Sequence, residues 1–130
     1  MGCACTGRVR SLASATHVVL LTLISTLDAA ETSICTVAAN PSGFDHRQLT
    51  LEGIVAGLTK GTSRSGRKDM TFLLRSPVGC GGVIVYAQEP AALRNGDHLQ
   101  VEGVFETQHR RDGSTFHNEM QATKITTLPR

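Results

Sequence analysis

The sequence predicts an all-β fold: a small closed barrel of five strands, with one short helical turn between the third and fourth. Apolar and polar residues alternate with a period of two in several short stretches, and helical periodicity is nearly absent. The pattern L-x-[LV]-E-G-[IV]-[VF] occurs at 49–55 and again at 99–105. Each copy places a glycine inside a strand, where a bulge or tight bend lets a barrel close. A chain of 130 residues is one domain.

Short runs of alternating residues define the five strands and their inward faces. The strands are predicted at Gln48–Leu58, Asp69–Arg75, Val83–Ala87, His98–Gln108 and Asn118–Thr126. Their inward residues are Leu49, Leu51, Val55, Met70, Phe72, Leu74, Val83, Val85, Leu99, Val101 and Phe105. The helical turn is predicted at Glu89–Leu93, with a proline near its start.

The N-terminus has the pattern of a secretory signal peptide. Arg8 and Arg10 precede ten largely apolar residues, Val18–Leu27, and small residues follow. Ten residues are too few to span a bilayer, which needs about 20. Acylation remains an alternative because Met1–Thr6 fits M-G-x-x-x-[ST], and a transit peptide or misassigned start codon is another. We expect a signal peptide at 1–30, a lead-in at 31–47 and the barrel at 48–127, in a periplasmic or secreted protein without a retained membrane span.

Removing residues 1–30 changes the charge and the cysteine count. Of 13 basic and 11 acidic residues, 11 and 10 remain, so the net charge of the mature chain is close to neutral and does not by itself indicate nucleic acid. Two of the 4 cysteines remain, Cys35 and Cys80. An even pair in an exported domain indicates a disulfide, worth about 4 kcal/mol for a loop of that span. Two buried free thiols are the alternative.

Several short motifs resemble the bacterial exported OB-fold proteins, over residues 39–125. The motifs are Ala39-Asn40-Pro41, Phe44-Asp45, Leu51-Glu52-Gly53, Phe72-Leu73-Leu74, Gly96-Asp97-x-Leu99-x-Val101-x-Gly103, Phe116-x-Asn118-Glu119 and Ala122-x-x-Ile125. The resemblance implies a five-stranded Greek-key barrel. It also implies that oligonucleotides or oligosaccharides bind on strands two and three, framed by two loops.

Basic residues concentrate in the two loops that would frame this face. Lys60, Arg64, Arg67 and Lys68 fall between strands one and two, and Arg110 and Arg111 fall between strands four and five. Cations of this kind contact phosphates, and single-strand binding adds aromatic rings for stacking. The predicted ligand-binding residues are Lys60, Arg64, Arg67, Lys68, Arg75, Tyr86, Arg110 and Arg111. Solvated hairpin tips that keep the protein soluble are the alternative explanation.

Catalytic and metal-binding patterns are weak. No nucleophile elbow or phosphate-binding loop occurs in the sequence. We expect His109 and His117 to lie opposite each other across the last predicted hairpin, which would give a weak two-ligand metal site without an evident third ligand. Glu52 and Glu102 are expected on an outer face, solvated or paired with a cross-strand cation. We therefore expect no enzymatic activity, no metal and no cofactor, and a module that binds single-stranded nucleic acid or another polyanion. The alternative is a protein- or glycan-interaction module in a cell-envelope assembly.

Overall fold

The computed structural model describes residues 2, 30–88 and 92–129. The elements are β1 Ala30–Glu31, α1 Ile34–Ala39, a 3-10 helix Pro41–Phe44, β2 Arg47–Thr62, β3 Lys68–Arg75, β4 Gly82–Gln88, β5 His98–Arg111 and β6 Ser114–Thr127. Nearly all of the predicted signal peptide lies outside the described residues. The first part of the helical turn expected at 89–93, residues 89–91, lies outside them as well.

Both helices of the described part precede the first long strand, in the predicted lead-in, where no helix was expected. The Ser33 side chain starts α1 by accepting a hydrogen bond from the amide of Thr36 at 3.1 Å, and Pro41 opens the 3-10 helix. Six residues are too few to show a helical period in sequence. Ile34 and Val37 nevertheless bury one side of α1, with 2% and 0% exposure.

The five long strands form a sheet that closes into a ring. β2 pairs with β3, β3 with β4, β4 in parallel with β6, β6 with β5, and β5 with β2 again. β2 changes partner at Ile54, which pairs with His98 of β5 and Arg75 of β3. The bend expected at Gly53 is therefore where β2 passes from one neighbour to the other. The register shift in β2 lies further along, between Ala56 and Thr59.

The side chains predicted to face inward form the core. Every one of them is at most 4% exposed, and Phe72 and Phe105 are each 1% exposed. The cluster is completed by Ile34 and Val37 of α1, Ala87 of β4, Leu93, and Met120 of β6. The period-two interpretation is confirmed for all four strands that it used, because one face of each strand is enclosed by the ring.

The two hairpins are tighter than the sequence indicated. β2 and β3 extend into the predicted loop, so only residues 63–67 form its tip. At the other hairpin the turn is Asp112-Gly113, with φ of 51° and 80°, the geometry that favours this pair. Arg110 and Arg111 therefore lie on β5 itself, where strand alternation sends their side chains to opposite faces.

Cys35 of α1 and Cys80 of the turn between β3 and β4 lie at disulfide distance. Their Cα atoms are 5.3 Å apart, and 45 positions separate them in sequence. The pair joins the lead-in to the ring, as predicted. Within the described residues, no helix has the length and apolar character needed to cross a membrane.

Candidate functional site

A cleft of about 210 Å³ lies between the two hairpins. Its walls come from the β2–β3 tip, from the end of β4 and from the facing strands β5 and β6. The residues that line it are Ser63, Ser65, Arg67, Tyr86, Gln88, His109, Arg111, Asp112 and Gln121. Three of the eight predicted binding residues, Arg67, Tyr86 and Arg111, thus meet in one place although they are distant in sequence.

The β2–β3 hairpin carries four exposed cations: Lys60, Arg64, Arg67 and Lys68. Among the described residues, no carboxylate forms an ion pair with any of them. The tip is closed by Ser63, whose amide donates to the carbonyl of Arg67 at 2.8 Å and whose hydroxyl accepts from the Arg67 amide at 3.2 Å. A short, hydrogen-bonded tip therefore presents uncompensated positive charge beside the cleft.

Arg111 has different surroundings from the other cations. Its Nη1 donates to Glu119 Oε1 at 2.6 Å, and its Nη2 lies 3.5 Å from Oε2. Its guanidinium carbon lies 3.5 Å from the ring centre of Tyr86 and 4.1 Å from that of Phe116. The Arg111 side chain is 17% exposed and that of Glu119 only 2%. The charge of Arg111 is therefore compensated within the protein.

Glu119, the partner of Arg111, is the residue of this arrangement that the sequence interpretation missed. It faces outward on β6, yet Arg111 and Gln121 cover it, and the Gln121 amide donates to Oε1 at 2.8 Å. Glu119 and Met120 are consecutive and both buried, because Met120 lies in the core on the inner face while Glu119 is covered by its partners on the outer face. The only signal in the sequence was the motif Phe116-x-Asn118-Glu119, which holds both the ring and the carboxylate.

Tyr86 lines the cleft and faces outward from the ring, because Val83 and Val85, which alternate with it on β4, face inward. Its hydroxyl donates to Asp69 Oδ2 at 3.3 Å. Burial, and after it the negative charge of Asp69, raises the pKa of the Tyr86 phenol above its ordinary value. The phenol therefore stays neutral at physiological pH, and its ring contacts the Arg111 guanidinium.

Two predicted binding residues lie away from the cleft. Arg110 is exposed on the face of β5 opposite to Arg111. Arg75 ends β3, seven residues from Lys68, which corresponds to about 23 Å along a strand. Neither residue lines the cleft, and Lys60, Arg64 and Lys68 of the first hairpin do not line it either.

The histidines do not meet as expected across the last hairpin. His109 pairs in register with Phe116, whereas His117 pairs with Gln108, so the two rings are not opposite each other. His109 instead bonds through Nδ1 to the carboxylate of Glu106. The described residues contain no cluster of three or more metal-binding side chains.

A second cavity of about 410 Å³ lies between the start of α1, β2 and the turn after β3. It contains none of the predicted binding residues. Hydroxyl groups such as those of Thr50 and Ser76 line it, together with Glu52. Glu52 was expected to be solvated or paired with a cross-strand lysine or arginine. Its side chain is 55% exposed, as expected for a solvated residue of the outer face, and its carboxylate lies 2.8 Å from Nε2 of His98 on β5.

Comparisons with known proteins identify structural neighbours only. No family model and no curated protein matches the sequence. One solved neighbour is a chain described as an aspartyl-tRNA synthetase from Leishmania major Friedlin, with a TM-score of 0.55 and 13% identity, covering 82% of this chain and 22% of that chain. The present chain thus spans about a fifth of that neighbour. At this identity the similarity concerns the fold alone.

Two further neighbours are smaller proteins. The mitochondrial single-stranded DNA binding protein Rim1 of S. cerevisiae has a TM-score of 0.49 and 14% identity, covering 65% of this chain and 97% of that chain. The second OB-fold domain of replication protein A from Methanococcus maripaludis has a TM-score of 0.45 and 13% identity, covering 66% of this chain and 88% of that chain.

Proposed function

We propose that this chain is an exported, non-catalytic OB-fold module that binds single-stranded nucleic acid, or another polyanion, in the cleft between its two hairpins. One observation carries the proposal. Arg67 from the first hairpin, Tyr86 from β4 and Arg111 from the second line the same cleft. The assignment to the OB fold is supported by the strand order of the ring, in which the third and fifth long strands pair in parallel.

The charge of the first hairpin supports a polyanionic ligand. Its four exposed cations have no ion-pair partners among the described residues. Cations of this kind release counterions when they contact phosphates, which favours binding at low salt. The cleft itself holds about 210 Å³, less than the roughly 300 Å³ at which small-molecule pockets begin. A segment of a longer chain suits such an open cleft better than an enclosed small molecule.

Export and the lack of catalysis belong to the same proposal. A cysteine pair at disulfide distance is typical of an oxidising compartment, and the sequence before residue 30 has the pattern of a signal peptide. In the cleft, His109 is held by Glu106, and within the part of the chain that the structure describes no hydrogen bond joins its ring to Ser63 or Ser65. N-terminal sequencing of the protein purified from its producing cell tests the export; a sequence that begins at Gly2 or Met1 contradicts it.

A second candidate function is binding of a protein partner on the outer face of β3 and β4. Leu73 and Ile84 are paired across these strands, and Ile84 is 38% exposed. They form an apolar centre where a single-strand binder would place aromatic rings. Co-purification of a stoichiometric protein from the envelope, lost in Ile84→Ser, would favour this alternative.

Fluorescence anisotropy with a labelled oligothymidine tests the leading proposal. We expect binding at low salt, weakening steeply toward physiological salt. The double variant Arg64→Gln/Arg67→Gln is expected to lower the log–log salt slope by about 2, since each phosphate contact contributes about 1. The matched control Arg94→Gln/Lys124→Gln removes the same charge away from the cleft and is expected to leave the slope unchanged. No binding at low salt would refute the nucleic-acid function.

A further inference from the structure

We infer that the two hairpins recognise different parts of the ligand: the first contacts phosphates, and Arg111 of the second stacks against a base. In this arrangement Glu119 is a positioning residue, because it neutralises Arg111 and fixes its guanidinium beside Tyr86. The inference rests on the proposed function and assigns Arg111 a role other than the phosphate contact that its charge suggested.

Arg111 differs from the cations of the first hairpin because its charge is compensated by a carboxylate. The carboxylate of Glu119 lies 2.6 Å from Arg111 Nη1, and Glu119 is almost completely buried. A phosphate that approached Arg111 would face this carboxylate directly behind the guanidinium, and the two anions would repel each other. The exposed cations at Arg64 and Arg67 have no such neighbour among the described residues. Phosphates are therefore drawn to the first hairpin.

The geometry of the guanidinium suits a planar ligand. Arg111 and Tyr86 both line the cleft, whereas Phe116 and Glu119 do not. The guanidinium contacts both rings, and the carboxylate holds it through two nitrogens. Arginine planes and tyrosine rings are the surfaces on which unpaired bases stack. A fixed planar group loses little conformational freedom when a base covers it.

The β2–β3 tip is close enough to serve the same ligand. Ser63, Ser65 and Arg67 form one wall of the cleft, and Arg111 and Tyr86 form another. A nucleotide seated between these walls would have its base on the stacking side and its phosphate on the side of Arg67. Gln88 also lines the cleft, and its side-chain amide offers a donor and an acceptor to the base edge.

A thermodynamic cycle between protein and ligand tests the inference. Oligothymidine is compared with the same oligomer carrying abasic sites, for the wild type, Arg111→Gln/Glu119→Gln and Arg67→Gln. We expect the wild type to prefer the intact oligomer about tenfold, a modest value for base stacking. The double variant, which removes both charges and leaves no unpaired buried carboxylate, should show a clearly smaller preference, since only the Tyr86 ring remains for stacking, with an unchanged salt slope. Arg67→Gln should keep the preference and lower the slope by about 1.

Two further variants isolate the neighbouring residues. Arg110→Gln removes the adjacent arginine on the opposite face of β5, and it should keep the preference for the intact oligomer. Glu119→Gln releases the charge of Arg111, so the salt slope should rise by about 1, which a purely structural role for Glu119 would not cause.

The outcomes distinguish this inference from the function on which it rests. If no oligomer binds to the wild type at low salt, the proposed function itself fails. If both oligomers bind but the double variant lowers the salt slope, Arg111 contacts phosphate and the inference is wrong. An undiminished preference for the intact oligomer in the double variant, or an unchanged slope in Glu119→Gln, overturns it equally.

Discussion

Substitution of Gly103 by alanine probes the closure of the ring. Gly103 lies on β5, where the register with β6 shifts between Glu102 and Gly103. Its φ is not positive, so the glycine is needed for space and not for conformation. An added Cβ would lie 2.2 Å from the carbonyl oxygen of Gln121 and 2.9 Å from the Cα of Ala122. Both obstructing atoms belong to the backbone of β6, and no side-chain rotation can remove them.

The size of the effect follows from these distances. Ordinary van der Waals contact of a Cβ begins at 3.4 Å, so β5 and β6 would have to separate by roughly 1 Å, which weakens the hydrogen bonds between them. Overpacking of this kind costs about 3 kcal/mol at its upper range. The lower entropy of the unfolded alanine chain returns up to about 1 kcal/mol. We therefore expect a net loss of about 2 kcal/mol, or a fall in Tm of roughly 8–16 °C.

Chemical and thermal unfolding measure this loss, and Gly61→Ala is the matched control. Gly61 is also a strand glycine without a positive φ, but its nearest obstruction is Oδ1 of Asp69 at 2.9 Å, the end of a flexible side chain. We expect the control to change stability by less than about 0.5 kcal/mol. If Gly103→Ala is as stable as this control, close approach of β6 is not the reason for the glycine.

Three further predictions concern stability and titration. Arg111→Met should lower the free energy of unfolding in urea by about 3 kcal/mol, because Glu119 remains buried without its partner. The double variant Arg111→Met/Glu119→Met should be about as stable as the wild type. Equal losses of stability in the two variants would contradict a buried ion pair between Arg111 and Glu119. Replacing Cys35 and Cys80 by serine should lower the free energy of unfolding by up to about 4 kcal/mol. A reducing agent should cause the same loss in the wild type and should not change the stability of the variant. Tyr86 is the only tyrosine, and its phenolate absorbance should appear at higher pH in the folded protein than in denaturant. The free energy of unfolding should therefore fall as the pH rises above about 10. Coincident titration curves in the two conditions would contradict the raised pKa of Tyr86.

The period-two pattern identified most of the core, although not Met120 of β6 or the buried residues of α1. Leu99 and Val101 alternate with polar residues in sequence and are fully buried in the ring, because a strand with one enclosed face has a fixed inside and outside. The Asp112-Gly113 turn could also be predicted from local sequence, since it depends only on two adjacent residues that accept a positive φ. The helix α1 was not predicted, because six residues cannot display a helical period.

The clustering of cations in two short segments was visible in the sequence, but their different roles were not. Arg110 and Arg111 are adjacent and chemically identical, and β5 sends them to opposite faces. One stays exposed, and the other is neutralised by Glu119, eight residues away on the neighbouring strand. The sequence by itself determined which faces are buried and where positive charge is concentrated, because both depend on local pattern. Only the tertiary structure decided which cations remain free to meet a ligand, because a charge is compensated by its neighbours in space.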